Sequence, residues 1–158
     1  MADKWLFILT YLQQNPIQEV PGQLFGMSQS NANKWLHLLH AVLNQALAHQ
    51  DLLPARTAND LAVLLAAERT GVRPPPFWHA GTERPIHRPT DPAEQQEDYS
   101  GKKKCHTLKN LLVLDETCHI GFLSATYAGK VNDKSLADLA GYTLPPGSCL
   151  YQEMGFQG

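Results

Sequence analysis

Two β-prone runs in the second half of the chain most constrain its fold. Thr107–Leu114 is almost continuously apolar, and Ile120–Tyr127 is a second run rich in aliphatic and aromatic residues. Continuous apolarity is typical of a strand that is buried on both faces. Only the polar segment Asp115–His119 separates the runs, and such a short connection predicts antiparallel pairing. The two runs therefore predict a buried β-hairpin.

A basic cluster stands at the start of this hairpin. Lys102, Lys103 and Lys104 are consecutive, and His106 follows closely. Contact with a phosphate backbone requires only positive charge and reach, so these four side chains are candidates for DNA binding. Three lysines that merely keep a strand end in solvent would look the same, and the residues alone leave both interpretations open.

Net charge and composition exclude several classes of protein. The chain has 158 residues and a formal net charge of -2 at pH 7, so any DNA contact depends on local patches. No apolar run approaches the roughly 20 residues of a membrane span, and the N-terminal residues lack the basic lead of a signal peptide. A cytoplasmic location is therefore expected. Three widely spaced cysteines, and the lack of zinc-site spacing, predict neither a disulfide framework nor a zinc site.

Helical periodicity dominates the first part of the chain. Trp5, Ile8, Leu9 and Leu12 recur at helical spacing, which predicts an amphipathic helix from about residue 2 to residue 14. A short second helix is predicted over residues 17–25. Apolar residues continue at helical spacing from residue 32 to residue 46 and predict a long third helix.

The junction between the second and third helices indicates a helix-turn-helix. Gly26 suits a tight corner, and Ser28 suits an N-cap. Recognition helices usually contact DNA with their N-terminal residues, through side chains that hydrogen-bond phosphates and base edges. The candidates on the first turns of the third helix are Gln29, Ser30, Asn31, Asn33 and Lys34. Solvated helix starts also carry such residues, because Ser and Asn cap helices.

A fourth helix and a proline-rich segment complete the first predicted domain. Thr57 and Asp60 have the spacing of a capping box, and Gly71 suits the end of the helix. Prolines at positions 74–76 cannot continue a helix. We therefore predict a helix-turn-helix domain with a connector helix over residues 1–71 and a second domain over residues 72–158.

The second domain is predicted to mix strands and helices around the hairpin. A strand is expected over residues 77–83, and an exposed loop over the polar, proline-containing residues 84–100. A short helix closed by Gly141 is expected over Asp133–Ala140, and another strand over Cys149–Gln152. The predicted fold class is α+β, with an all-α N-terminal domain.

Five segments carry a resemblance to a known family. In order they read FGMSQSNANKW, GTERPIHRP, YSGKKKCHTLKN, LSATYAGKVNDKSLAD and GFQG. This pattern resembles the bacterial DDE transposases of insertion sequences, over nearly the whole chain. The resemblance implies a helix-turn-helix followed by an RNase H-like endonuclease domain, which would be incomplete and C-terminally truncated here. It also implies divalent ions, Mg²⁺ or Mn²⁺, held by two aspartates and a glutamate for DNA cleavage and strand transfer.

The carboxylates implied by the resemblance are altered in this chain. The family's first aspartate falls on Ala80, which binds no metal, and its second falls on Glu153, whose carboxylate is one methylene further out. The third would lie beyond Gly158. Glu153 is therefore the one remaining catalytic and metal-binding candidate, and any metal is expected to bind weakly or not at all. Glu83 and Asp115 are two further carboxylates that could substitute, but alternation along a strand argues against Glu83 and ordinary turn chemistry argues against Asp115.

These expectations define three functional hypotheses. The first is a degenerate transposase that binds DNA at transposon ends with impaired cleavage and strand transfer. The second is the first part of a split enzyme, completed by a downstream-encoded C-terminal part. The third is a non-catalytic DNA-binding repressor of transposition. A homo-oligomer is compatible with each of them.

Overall fold

The computed structural model describes residues 2–67 and 76–156. The chain forms two compact units, Met1–Leu53 and Pro54–Gly158, and each has its own apolar core. The first unit is helical, and the second combines a mixed sheet with helices, which confirms the predicted α+β class. Within the described ranges, no helix is both long and apolar enough to cross a membrane.

Three helices build the first unit: α1 (Ala2–Gln14), α2 (Glu19–Leu24) and α3 (Gln29–Ala48). The predicted inward face of α1 is partly wrong, because Ile8 is buried while Trp5, Leu9 and Leu12 are exposed. Phe7 is the second buried anchor of α1 and packs edge-on against Phe25, with ring centroids 5.2 Å apart. The core of the unit consists of Phe7, Ile8, Ala32, Leu36 and Leu39.

The corner between α2 and α3 has the local chemistry that the sequence indicated. Gly26 adopts a positive φ of 66°, which favours glycine. The hydroxyl of Ser28 accepts a hydrogen bond from the backbone N–H of Asn31 and caps α3. Gly22 must lack a side chain, because a Cβ there would lie 2.9 Å from the carbonyl oxygen of Met27.

Helix α4 (Ala58–Ala67) packs within the second unit. The capping box is formed: Thr57 Oγ1 accepts from the N–H of Asp60, and Asp60 Oδ2 accepts from the N–H of Thr57. Leu61 and Leu65 are buried in the core of the sheet unit. The helix is thus more than a connector, since it covers apolar surface of that unit. The predicted domain boundary at residues 71–72 lies outside the described residues, whereas the compact units divide after Leu53.

A long central strand organises the sheet. Strand β3 (Cys105–Leu114) pairs antiparallel with β1 (Phe77–Pro85) along one edge. Its other edge pairs antiparallel with β2 (Tyr99–Ser100), β5 (Tyr127–Ala128) and β4 (Ile120–Leu123). The short strand β6 (Leu150–Gln152) runs parallel to β1. The predicted hairpin is therefore present, but its second run is two short strands instead of one.

The two faces of the sheet are covered unequally. Leu111 and Val113 of β3 are buried, whereas Leu112 and Leu114 are only half-buried. The prediction of a strand buried on both faces is therefore correct for one face only. Helix α6 (Asp133–Ala140) contributes the buried Leu136 to the core and ends at Gly141 as predicted.

The segment predicted as an exposed loop contains a helix. Helix α5 spans Pro92–Asp98, and its residues are exposed or half-buried. The carboxylate of Asp91 caps it by accepting from the backbone N–H groups of Ala93 and Glu94. Pro92 fits because the first helical residue needs no N–H partner.

Candidate nucleic-acid interface and carboxylate cavity

The first turns of α3 present polar side chains to solvent. Gln29, Ser30, Asn31 and Lys34 are all exposed. They occupy the end of the helix where unpaired backbone N–H groups and the positive end of the helix dipole favour a phosphate. These four predicted DNA-binding residues are therefore accessible to a partner.

Asn33 differs from the other candidates on this helix. It is half-buried, and its Nδ2 donates a hydrogen bond to Gln18 Oε1 over 3.0 Å. This bond ties α3 to the residue before α2. Asn33 therefore has a structural contact of its own, and a role for it in DNA binding stays a prediction.

Lys102, Lys103 and Lys104 lie in the turn between β2 and β3 and are exposed. Ser100 shapes this turn, since its hydroxyl accepts from the N–H of Lys103 and its carbonyl from the N–H of Lys104. Residues 101–104 form the lysine turn. Its hydrogen-bonded backbone fixes the positions from which three cationic side chains extend. His106 lies beyond the turn on β3, half-buried, with its ring 5.6 Å from that of its register partner Tyr99.

A polar cavity of about 250 Å³ lies beside the lysine turn. It brings together three predicted site residues, Lys102, Lys103 and Glu153, whereas Lys104 and His106 do not line it. Its remaining lining residues are Gly81, Thr82, Glu83, Lys109, Asp133 and Leu136. Three lysines thus face three carboxylates, so the charges in the cavity nearly balance.

Glu83 is held firmly on one side of this cavity. Its Oε1 accepts a hydrogen bond from the hydroxyl of Thr107 over 2.7 Å. Burial by itself raises the pKa of Glu83, but hydrogen bonds from Ser100 and Thr107 and the charges of Lys109 and Lys103 together hold the pKa below its usual value. Glu83 is therefore an ionised acceptor within the sheet.

Lys109 and Asp133 are cavity residues that sequence reasoning missed. Lys109 Nζ donates to the carbonyl oxygen of Val131 over 2.9 Å and lies 3.6 Å from Asp133 Oδ1. The Asp133 carboxylate also fits closely against the backbone, because a Cβ on Gly155 would lie 2.9 Å from its Oδ2. The charge of Lys109 within a largely apolar run was a signal in the sequence that this side chain has a partner. Asp133 gave no such signal, because an aspartate is ordinary at the start of a helix.

The expected second metal ligand, Glu153, follows directly after β6. The parallel register of β1 and β6 ends with His79 opposite Gln152, immediately before Ala80 and Glu153. Register partners in this pair share a face, as shown by the stacked rings of Trp78 and Tyr151, 5.4 Å apart. Glu153 lies just outside β6 and lines the cavity together with Gly81 and Glu83, whereas Ala80 is not among the lining residues. Glu83 faces the other side of β1 from Ala80, since their separation along the strand is odd.

Two known protein-family models match parts of the chain. Residues 1–49 match the family model for the helix-turn-helix of DDE superfamily endonucleases. Residues 80–148 match the model for the DDE superfamily endonuclease itself. The two models describe parts of one superfamily, occur in the expected order and together cover about three quarters of the chain.

Over these two ranges the chain is similar to the DDE superfamily endonucleases. No curated protein and no solved structure matches it. The match to the endonuclease model begins at Ala80 and ends before Glu153, so Glu153 lies outside the matched residues.

The DDE superfamily depends on divalent metal, but the residues present in this relative do not fit a two-ion centre. In the described ranges no group of three His, Cys, Asp or Glu side chains is placed to hold a metal ion. Ala80 offers no ligand atom. Asp115 is engaged elsewhere, because its Oδ1 accepts from the backbone and hydroxyl of Thr117 and from the N–H of His119. Residues 2–67 and 76–156 therefore offer no ligand set through which a metal-dependent step could be derived.

Proposed function

We propose that this chain is a transposase-related DNA-binding protein of the cytoplasm that occupies transposon ends and is impaired in DNA cleavage and strand transfer. The observation that carries the proposal is the combination of a complete helix-turn-helix unit with Ala80 at the position where the DDE resemblance implies a metal-binding aspartate. Binding to DNA needs the first of these features, and cleavage needs the second.

The proposed DNA contacts divide into reading and positioning contacts. The exposed Gln29, Ser30, Asn31 and Lys34 suit the reading of base edges, and Asn33 belongs to this set by its place on α3. Lys102, Lys103, Lys104 and His106 suit phosphate contacts that carry no sequence information. With a net charge of -2 for the whole chain, affinity is expected to depend on these patches.

The loss of cleavage is proposed from the ligand positions at the end of β6. The resemblance implies two metal-ligand positions within this sequence, and of these only Glu153 carries a carboxylate. The side chain of Glu153 is exposed. One carboxylate is insufficient for a site in which two ions must activate water and stabilise a leaving oxygen. Supercoiled DNA incubated with the full chain and Mn²⁺ is expected to stay intact, and clear nicking would overturn the proposed loss.

Fluorescence anisotropy with duplex DNA from the element ends tests the binding part of the proposal. Asn31→Ala and Lys34→Ala are expected to reduce discrimination between end and unrelated duplexes, each by up to the roughly 1–3 kcal/mol of a base contact. Asn44→Ala is the matched control, because Asn44 is exposed on the same helix but far from its N-terminus. Unchanged discrimination in both test variants would contradict the assignment of α3 as the reading helix.

The proposed phosphate contacts of the lysine turn are tested by the salt dependence of DNA binding. Replacing Lys102, Lys103 and Lys104 by Ala should weaken all duplexes alike and flatten the salt dependence by about 0.9 in slope for each lost phosphate contact. Lys134→Ala is the control, since Lys134 is equally exposed in the same unit but pairs with Asp138. A salt dependence equal to that of the original chain would remove the turn from the interface.

An exposed aromatic pair favours a second candidate function, that of one part of a split transposase. Trp78 and Tyr151 stack on each other yet are 40% and 52% exposed. Aromatic side chains at this exposure suit coverage by further protein. Co-expression with the polypeptide encoded immediately downstream tests this candidate: a stable complex that nicks DNA supports it, and a chain that purifies alone rules it out.

A further inference from the structure

A shallow cavity of about 530 Å³ lies at the base of the β2–β3 hairpin. Its volume falls within the roughly 300–1,000 Å³ of small-molecule sites. Of the lining residues, His106 alone belongs to the DNA-binding set predicted from sequence. The cavity is lined by Arg88, Pro92, Gln95, Gln96, Tyr99 and His106.

Planar side chains dominate this cavity. Tyr99 and His106 are register partners, with ring centroids 5.6 Å apart and planes at 73°. Tyr99 is 43% exposed, so its ring is accessible to a ligand. Aromatic rings and guanidinium planes are the surfaces on which unpaired nucleobases stack.

The planar cation beside these rings is already fixed in place. Arg88 donates from Nε and Nη2 to Gln95 Oε1, over 3.0 and 2.7 Å. Gln95 is held in turn, because its Nε2 donates to the carbonyl oxygen of Pro89 over 2.9 Å. A guanidinium held by two hydrogen bonds needs little further ordering when a ligand stacks on it.

Acidic residues lie near the cavity, and an amide that suits a base edge lies in its lining. Helix α5 forms one wall and also carries Glu94, Glu97 and Asp98. None of these three carboxylates lines the cavity, and Glu97 is paired with Lys130 over 3.1 Å, so together they repel an anion in the cavity only weakly. A neutral base meets no such repulsion, and the exposed amide of Gln96 offers both a donor and an acceptor for a base edge.

We propose that this cavity binds an unpaired nucleobase while the lysine turn holds phosphates of the same strand. The proposal rests on the proposed function for its DNA partner and adds a site for single-stranded DNA. The lysines begin three residues after Tyr99, and strand residues rise about 3.3 Å each. The two sites are therefore close enough for neighbouring nucleotides of one strand to reach both.

Two single strands of about 12 nucleotides, a length typical of single-strand sites, test the proposal on the full chain. One is oligothymidylate, and the other has the same phosphates with abasic sugars. Anisotropy should show that the abasic strand binds more weakly by about 5- to 150-fold, the range that stacking contributes per base. Equal affinity for the two strands would overturn the proposal.

Substitutions assign the preference to the cavity. Tyr99→Ala should abolish the preference for the strand with bases, and Tyr99→Phe should retain it, because the stacking ring remains. Arg88→Lys keeps the charge without the plane and should reduce the preference. Tyr151→Ala is the matched control, since Tyr151 is a similarly exposed tyrosine outside the cavity.

Failure of this site can be distinguished from failure of the proposed function. If duplex DNA binds but Tyr99→Ala keeps the full base preference, the cavity assignment falls and the proposed function stands. If neither duplex nor single strand binds, both fall. Thermal melts of each variant, recorded by circular dichroism, distinguish loss of the site from loss of the fold. Tyr99→Phe must have the same melting temperature as the original chain.

Discussion

His79 lies in the core between the rings of Phe156 and Tyr142, at centroid distances of 4.0 and 5.6 Å. Burial lowers the pKa of His79 below its ordinary 6.5, and the nearby Gln152 side chain and Asp133 charge offset part of this effect. The same burial acts on the neighbouring phenol and raises the pKa of Tyr142 to about 12. The core therefore favours the neutral form of both groups.

Stability should consequently fall as the solution becomes mildly acidic. The unfolded chain binds the His79 proton with its ordinary pKa, whereas the folded chain resists protonation. The stability linked to neutral His79 is thus fully present above a pH of about 6.5 and is lost as the pH falls toward the lower folded value. Melting temperatures from about pH 7.5 to about pH 5.5 should drop more for the original chain than for His79→Phe.

The carboxyl groups with lowered pKa values do not share this pH window. Two carboxyl groups whose pKa values are also lowered, Glu83 and Asp115, titrate in a more acidic range. The exposed His87 provides the control, since His87→Gln should keep the original pH dependence. Equal slopes for the original chain and His79→Phe would contradict the assignment.

Gly129 is a second residue whose environment leaves no room for change. A Cβ there would overlap Thr107 Oγ1 and would lie 2.6 Å from the carbonyl oxygen of Asp98. Because part of this wall is backbone, it cannot move aside as a flexible side chain would. Gly129→Ala should therefore destabilise the chain by about 3 kcal/mol or more in urea unfolding.

Gly101→Ala is the matched control for this substitution, since a Cβ at Gly101 meets nothing within 4 Å. Its free energy of unfolding should stay within about 0.5 kcal/mol of the original. A mild effect of Gly129→Ala would mean that Thr107 can move without loss of its bond to Glu83.

At the scale of elements, local signals explain which helices could be predicted. Asn132 accepts from the N–H of Ser135 at the start of α6, and Gly141 ends that helix with a φ of 59°. Both are short-range preferences that can be read from a few residues. Helix α5 carried an equally local signal, Asp91 followed by Pro92, but its polar and proline-containing surroundings suggested a loop instead.

The contacts that could not be predicted depend on how separate elements pack against one another. Lys109 meets Asp133 across 24 positions because β3 and α6 are brought together by the sheet. Trp5 and Leu9 have helical spacing, yet Phe7 and Ile8 are buried instead. Periodicity defines an apolar face only approximately, and the tertiary partner, here Phe25, selects the residues that point inward.

The helical unit is expected to fold alone, and within shorter bounds than the sequence suggested. Its core is drawn entirely from residues 7–39, so residues 1–53 should melt cooperatively by circular dichroism. Phe7→Ala in this fragment should remove about 3–5 kcal/mol and with it the cooperative transition. Leu24→Ala, at a residue that is 68% exposed, should leave the melt unchanged. A non-cooperative melt of the unmutated fragment would contradict independent folding.

At the scale of the whole molecule, the alanine at position 80 leads to a prediction about metal binding. Ala80→Asp with Glu153→Asp puts an aspartate at both positions that the DDE resemblance implies, each one residue beyond the last register pair of β1 and β6, His79 and Gln152. A divalent ion would relieve the repulsion between them, so the double variant should bind Mn²⁺ more tightly than the original chain in calorimetry. Nicking of supercoiled DNA should still be absent, because two-ion chemistry needs further ligands.

The control for metal binding keeps the same change of charge at another place. Ala93→Asp with Glu94→Asp lies on the exposed helix α5 and should leave Mn²⁺ binding at its original level. Equal Mn²⁺ affinity in the two double variants would show that Ala80 and Glu153 do not share a site.

Strand β6 also governs when Glu153 lines the carboxylate cavity. It is three residues long, and in the described part of the chain it pairs with β1, whose partner residues lie more than seventy positions earlier. Closing so long a loop costs more chain entropy than closing the β3–β4 hairpin, and only three register pairs repay it. We expect β6 to join the sheet late in folding, and its amides to exchange with solvent faster than those of β3. Each opening of β6 would carry Glu153 away from Glu83 and Asp133, so the carboxylate cavity lasts only as long as this strand stays paired.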